Sequence, residues 1–599
     1  MTSRVSWYKM VTNAMKRRLW YGAIVALTFF LAYPLNAMVQ FASKSEIENI
    51  QYYNAEEIQY QLHNVCLRFQ SLMAGGEVLP YIAVLGVSLL GAWSGLYWLH
   101  SKKKMDLIGS LPVRREKIFL AESISTLLLF FIPYLVNVLL ALVVGASKEI
   151  LTGTAVRNTF LGMGIHLFFY VVLYLTAAAA MLLTGKILTG ILGTLVFLAI
   201  GPAIYGLYYT LPQVFWKTYI STEVDWMNVL LDLSPAAGFL SVYNRISYWA
   251  SVEGVELNIT APMVTVLITG IVMGILCFWL VKKRPSEGAE SSMAFPATEG
   301  VIKAIILYPL SLAGGLFFQA LGDFRGNVTP GTGWFWFGIV FTLLLGSIII
   351  EVIYHFDRKM IFAHKKATSI CTLAVLATAA FFDFDLIGYD RWIPEQEEVT
   401  NAIVFDWISY SNDYPDGSKN SQEYLKNHME ELNSDSVLEM VREAVENLGP
   451  DGWQMDGGTS VTALFRMKDG KIKVRNYVVS EEMFDQTQRE LYEQKIYRET
   501  LYPLLLTEPE NVSIDDTMYE WGSNDISLQG LTGEEQTRLI AIYQEELGSL
   551  SYDEIVDGNL YGMHFRYREN ARYISGDYQL NEHFVKTIKF LTEKGVLKG

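Results

Sequence analysis

NTFLGMGIHLFFYVVLYLTAAAAMLLTGKILTGILGTLVFLAIGPAIYGLYYTL, residues 158–211, is a run of 54 residues in which Lys186 carries the one formal charge. A bilayer core of about 30 Å is crossed by about 20 apolar residues in a helix, so this run is too long for one crossing. Gly185, Lys186 and Gly190 are its interruptions, and they predict two spans, 158–184 and 187–211, joined by a tight turn. The chain is therefore read as a polytopic all-α membrane protein. The same test applied outward predicts seven more spans, at 20–42, 78–99, 118–145, 261–281, 302–322, 333–355 and 369–388. The first follows Lys16, Arg17 and Arg18 and has no small-residue cleavage site after it, which marks a retained helix rather than a signal peptide.

The 599 residues are 51% hydrophobic with a net charge of −15, and the charge is unevenly placed. Up to Gly388 there are 27 basic and 22 acidic residues, and after it 20 and 40, giving +5 and −20. An oily, mildly basic region is thus joined to a watery, acidic one of about 210 residues. An acidic chain lacks the basic face that a nucleic-acid partner requires. Cys66, Cys277 and Cys371 stand singly, which argues against a disulfide framework or a zinc site.

Lys and Arg summed over alternate loops give 20 on the side of the N-terminus and 7 on the other. Cytoplasmic loops are the basic ones, so the N-terminus is expected inside, and nine spans then place the tail outside. That parity depends on 302–322, the weakest span, where Pro309 and Gly314-Gly315 would also suit a re-entrant hairpin.

The tail, 389–599, is expected to be a soluble α+β domain. Val461–Phe465 and Ile472–Val479 flank Lys468-Asp469-Gly470, a hairpin signal. Helices are expected at 421–448, 481–497, 533–547 and 582–594, and Thr532 to Glu535 matches a capping box. His428, His564 and His583 look isolated, no GxSxG occurs, and acidic groups such as Glu395, Glu397, Glu398 or Asp515, Asp516 read as solvated faces rather than cation sites.

No G-x-x-x-x-G-K-[ST] is present, so an ATP-binding P-loop is not expected, and no metal or cofactor ligand set emerges. Ionisable residues inside the spans are few: Glu122, His166, Glu351, Asp383 and Asp385. Four lie near span ends, where leaning to the interface or pairing there is the ordinary explanation. His166 is deep, and Glu351 is kept with it as a possible intramembrane polar site, but one imidazole makes no proton relay. The inner loop at 101–117, SKKKMDLIGSLPVRREK, sets apolar Met105, Leu107, Ile108 and Leu111 between two basic clusters before Pro112. A loop that served only to hold charge inside would not need them.

That loop, with Met105, Asp106, Leu107, Ile108, Gly109, Ser110, Leu111, Pro112, Arg114 and Arg115, resembles the one after the second helix in ABC-2 type permeases, the membrane subunits of ATP-binding cassette exporters. Lys282-Lys283-Arg284-Pro285-Ser286-Glu287-Gly288 is similar to a basic segment after the sixth helix of bacterial members. Phe384 to Pro394 resembles the junction to a C-terminal domain in a Firmicutes-like subgroup. The resemblance implies a six-helix core at 20–284, three added spans at 285–388, and a coupling helix at 101–117 that docks on a cytoplasmic ATPase. It also implies an amphipathic connecting helix within 1–19, carrying Trp7, Tyr8, Met10 and Val11, and short outer-leaflet helices in 211–261. A polar face with Lys9, Lys16 and Arg17 suits an interfacial helix on physical grounds as well.

The function expected is a non-catalytic permease subunit of a bacterial cell-membrane exporter. It would pair with a second permease chain, identical or related, and with separate ATPase subunits that hold the ATP and Mg. The alternative is a membrane-anchored sensor or immunity-type module whose outer domain binds a peptide antibiotic or lipid, although nine spans exceed what an anchor needs.

Overall fold

A computed structural model of the chain describes residues 7–48, 55–110, 112–147, 150–220, 225–251, 256–323, 332–355, 363–405, 435–449, 452–453, 458–520, 526–528, 530–558, 561–569 and 572–597. The chain divides into two units, Met1–Leu211 with Glu223–Ala379, and Pro212–Thr222 with Ala380–Gly599.

The first unit is helical. Among the described residues, nine segments in the chain are long and apolar enough to cross a membrane: Leu19–Gln40, Ile58–His100, Arg115–Ser147, Gly153–Leu183, Ile187–Phe215, Thr260–Lys283, Pro296–Gly322, Thr332–His355 and Lys365–Asp383. These overlap the nine predicted spans, with differences that have local causes. Helix α1 (Trp7–Arg17) is separate from α2 (Leu19–Phe30) because Arg18 leaves helical backbone at φ −122°, ψ 26°. A π-turn over Leu31–Leu35 absorbs Pro34, which has no N–H to donate, and α3 (Asn36–Glu48) extends the helix beyond the predicted end. Residues expected to be loop form α4 (Ala55–Ala74), whose inner side buries Val65, Phe69, Leu72 and Met73. Gly75 at φ +86° and Gly76 separate it from α5 (Val78–Leu96).

After α5 come α6 (Lys102–Gly109), α7 (Arg115–Ser147), α8 (Gly153–Leu183) and α9 (Ile187–Phe215). The most enclosed is α8, against which α4, α5 and α12 (Thr260–Lys283) pack over small side chains such as Ala177, Ala178 and Ala179, all fully buried. Between α9 and α12 the short helices α10 (Asp225–Asp232) and α11 (Pro235–Ser251) occupy the stretch expected to hold such helices.

The weak span is an unbroken helix, α13 (Glu299–Asp323), of 25 residues. At 1.5 Å per residue it reaches about 37 Å, which no hairpin is needed to accommodate. Its Gly314 serves packing against α14 (Thr332–His355): a Cβ there would stand 2.2 Å from Thr342 Cγ2, and one on Gly338 of α14 would stand 2.6 Å from the Gly314 carbonyl oxygen. The last helix, α15 (Lys365–Asp383), ends before the predicted Gly388.

In the second unit, Asp385 (φ +41°) turns the chain, its carboxylate accepting from the Tyr389 and Asp390 N–H groups at 2.7 and 3.0 Å. Asp390 in turn accepts from the backbone N–H groups of Lys217 and Thr218, both at 2.9 Å. Strand β1 (Val399–Phe405) follows, then α16 (Asp435–Glu446), the short pair β2 (Leu448–Gly449) and β3 (Gly452–Trp453), and the hairpin β4 (Thr459–Met467) and β5 (Ile472–Val479). The hairpin is as expected, with Gly470 at φ +79°, and it builds an antiparallel sheet ordered β1-β4-β5. The predicted helix at 421–448 is seen from Asp435, and 421–434 lie outside the described residues. The helix predicted at 481–497 is two, α17 (Glu481–Tyr492) and α18 (Lys495–Leu501), capped by Ser480 at its start.

A second sheet, ordered β7-β6-β8-β9, uses β6 (Val512–Glu520), β7 (Ile526–Ser527), β8 (Tyr561–Glu569) and β9 (Arg572–Leu580). Helices α19 (Gly533–Ser549), α20 (Tyr552–Val556) and α21 (Val585–Glu593) complete the fold, and the capping box at Thr532 and Glu535 is present. One hydrophobic core, including Phe465, Tyr497, Tyr543 and Phe565, joins both sheets, so the α+β tail is one domain.

Candidate functional site

Helix α6 is positioned by what it buries. Met105 is 7% exposed and turns inward, Ile108 is half-buried, and Leu107 is 69% exposed alongside Asp106 and Lys102 to Lys104. The helix ends with Ser110 donating to the Leu107 carbonyl at 2.7 Å. Leu111 lies outside the described residues. Pro112 and Arg114 are exposed, and Arg114 offers its carbonyl to the first turn of α7 at Lys117 N, 3.0 Å.

Beneath α6 three chain segments are tied together. The turn after α8 runs antiparallel to the segment after α12, bridging Thr184 to Met293, with Gly185 N to Ser292 O at 3.1 Å and Glu290 N to Gly185 O at 2.9 Å. The approach is so close that a Cβ on Gly185 would stand 2.1 Å from the Gly288 carbonyl oxygen. Glu290, itself at φ +68°, reaches back to α6, accepting from Lys102 N at 3.2 Å.

Arg284 holds the centre. It is 2% exposed and donates to the carbonyls of Leu99 at 3.0 Å, Met181 at 3.1 Å and Leu182, while its own carbonyl accepts from Arg115 at 2.6 Å. Those acceptors are C-terminal carbonyls that a helix end leaves without partners, and a guanidinium satisfies several at once. Burial, with Arg115 nearby, brings the Arg284 guanidinium down to about 10, so it remains charged at neutral pH. A cavity of about 790 Å³ opens here, lined by Met105, Asp106, Ile108, Arg114, Lys282 and Arg284 among others.

Of the connecting-helix residues, Val11 is buried, Met10 half-buried, and Trp7 and Tyr8 are exposed at 47% and 72%, with α7 as the helix's partner. Its end is bolted by Arg18, 7% exposed, which meets Glu122 at 2.6 Å and Thr126 at 2.6 Å, while Arg17 meets the other Glu122 oxygen at 2.7 Å. Glu122 is thus a buried, paired carboxylate and not one that leans into solvent.

His166 is fully buried, with Nδ1 3.1 Å from both the Tyr33 and Tyr134 hydroxyls and its ring edge-on to Phe239. It is a packed core imidazole, and among the described residues no carboxylate hydrogen-bonds to it. Glu351 is different: fully buried, it accepts from Lys303 Nζ at 2.8 Å and lies 3.1 Å from His364 Nδ1 and 3.3 Å from His355 Nδ1. The sequence singled out Glu351 but not its partners: Lys303 comes from α13 and His364 from the turn before α15, and neither is linked to it by helical spacing, whereas His355 stands four residues on along α14. Likewise His583 is not isolated: Asp557 lies 3.0 Å from its Nε2, and Glu582 is within reach, an exposed trio at the surface of the tail.

A family model described as "Domain of unknown function (DUF6449)" matches residues 465–590, from β4 to α21 in the tail. No curated protein matches the chain, and no solved structure matches it. The family match lies wholly outside the region on which the resemblance to ABC-2 type permeases rests.

Proposed function

We propose that the chain is the transmembrane permease subunit of an ATP-driven exporter in a bacterial cell membrane, with its N-terminus cytoplasmic and its tail extracytoplasmic. Separate ATPase subunits would supply the hydrolysis, and a second permease chain would complete the pathway. The observation that carries the reading is α6, with Leu107 displayed among Lys102 to Lys104 and Arg114 while Met105 anchors the helix from behind.

Coupling requires that one state of the partner prefer one position of α6, and that this position be felt by the spans. The Arg284 and Gly185 contacts provide that connection, since they join the ends of α5, α8 and α12 next to α6. Replacing Met105, Asp106, Leu107 and Ile108 together is one test, but Met105 is buried, so Asp106→Ser with Leu107→Glu is the cleaner variant. Expressed with an ATPase encoded beside it, this variant should lose co-purification and export while keeping the parent's thermal stability. Unchanged assembly and export would refute the coupling role.

A further inference from the structure

The cavity of about 790 Å³ beside α6 is lined by cations for which the coupling of α6 to a partner has no use. Arg114 and Arg115 reach it at the start of α7, and Lys282 and Arg284 at the end of α12. Asp106 and Glu116 are the carboxylates of the lining, and among the described residues no ion pair joins any of these six. Four cations thus face two carboxylates, and with Arg284 set against the helix-end carbonyls it serves, three still face two. Over the whole of 101–117 and 282–290 there are nine basic and four acidic residues, so the excess is positive wherever the boundary is drawn. Charge that only set topology would be free to lie anywhere in these loops. Here it converges on one cavity from positions 169 residues apart, with Arg115 close enough to oppose the charge of Arg284. An anion bound beside them relieves that opposition.

The rest of the wall is apolar and lies at span ends, with Phe119 of α7, Leu182 of α8 and Val281 of α12. Phe119 packs edge-on against Phe278 of α12, ring centroids 6.1 Å apart, and Phe278 is 40% exposed. From Phe278 the exposed side chains Ile275, Ile271, Ile268 and Val264 recur every three or four residues. One face of α12 therefore carries an apolar track from the cavity toward the far end of the span. Basic residues gathered at span ends beside such a track match an acidic phospholipid, whose head lies at the interface and whose chain follows the helix. A free phosphate ion would use the cations but neither the track nor most of a volume that suits a larger molecule.

We propose that this cavity holds the phosphodiester head of an acidic phospholipid, with Arg114, Arg115 and Lys282 as its donors, Arg284 adding a fixed positive charge, and an acyl chain along the Phe278 face of α12. A choline head carries its own cation and brings no net charge to the site. The proposal rests on the spans crossing a membrane and not on the exporter reading. Its test contains no ATPase, so each can fail without the other.

The delipidated full chain in a nonionic detergent is titrated with dioleoyl phosphatidylglycerol, dioleoyl phosphatidylcholine or inorganic phosphate, and bound molecules are counted by native mass spectrometry. The first phosphatidylglycerol should bind about tenfold more tightly than the first phosphatidylcholine, a difference of about 1.4 kcal/mol. Inorganic phosphate should not compete at matched concentration. Arg114→Gln with Lys282→Gln, both exposed, should abolish the preference between the two lipids. Lys103→Gln with Lys283→Gln, an equal loss of exposed charge outside the lining, should retain it. Equal binding of the two lipids by the parent chain, competition by inorganic phosphate, an unchanged preference in the first double variant, or the same loss in both double variants would overturn the site.

Discussion

Arg284 stands just past the sixth apolar segment, where a basic residue needs no explanation beyond topology, yet it is buried against three main-chain carbonyls. A lysine keeps the charge but not the fork, so Arg284→Lys should lower stability by about 2 kcal/mol, seen as a reduced Tm of the detergent-purified chain. A wild-type Tm would mean that the carbonyls find other partners. His583 allows a pH prediction in the tail. Its bond to Asp557 favours the imidazolium and raises its pKa above the ordinary value near 6.5. The sign follows: the contribution to stability is full below about 6.5 and is lost as pH rises through the higher folded value. Histidine-selective NMR should show one imidazole titrating late, and Asp557→Asn should return it to the ordinary range; an unchanged titration would contradict the pairing.

At the scale of helices, length and apolarity made the nine long segments legible, because a bilayer-length run leaves few alternatives. Helix α4 was not legible: it buries one side against α8 and α11, and its exposed side carries enough polar residues to read as loop. The partners of Arg18 and Glu351 were hidden for a related reason, since Glu122 lies 104 residues after Arg18 and no periodicity links them. At 302–322, read as a span, the glycines left a second reading open. Gly314 and Gly315 suggested a broken span, but in an apolar setting small residues let helices approach, and α13 is continuous. Gly314→Val should therefore leave α13 helical while forcing it from Thr342 of α14, lowering stability by about 2 kcal/mol. A variant as stable as the parent in thermal unfolding would show that the helices are not in that contact.

Across the whole chain, the split into an oily and an acidic part was visible as +5 and −20 about Gly388, and the second unit begins close by, at Ala380. Within the tail, the β4-β5 hairpin was readable from Asp469-Gly470, whereas the order β7-β6-β8-β9 was not, because β6 and β8 pair across two intervening helices. The return of 212–222 into the tail's unit was equally hidden, since it rests on Asp390, 172 residues after Thr218.

The proposed coupling role draws on both residue and element: α6 was legible as an amphipathic loop, and the contacts that fasten it to the helix ends were not. A photo-crosslinking amino acid placed at Leu107 in intact cells, with the captured protein identified by mass spectrometry, tests the coupling directly. The expected result is a crosslink to a cytoplasmic ATPase that carries a P-loop, lost when the partner gene is deleted. Capture of an extracytoplasmic protein, or accessibility of position 107 to a membrane-impermeant reagent added outside, would contradict it.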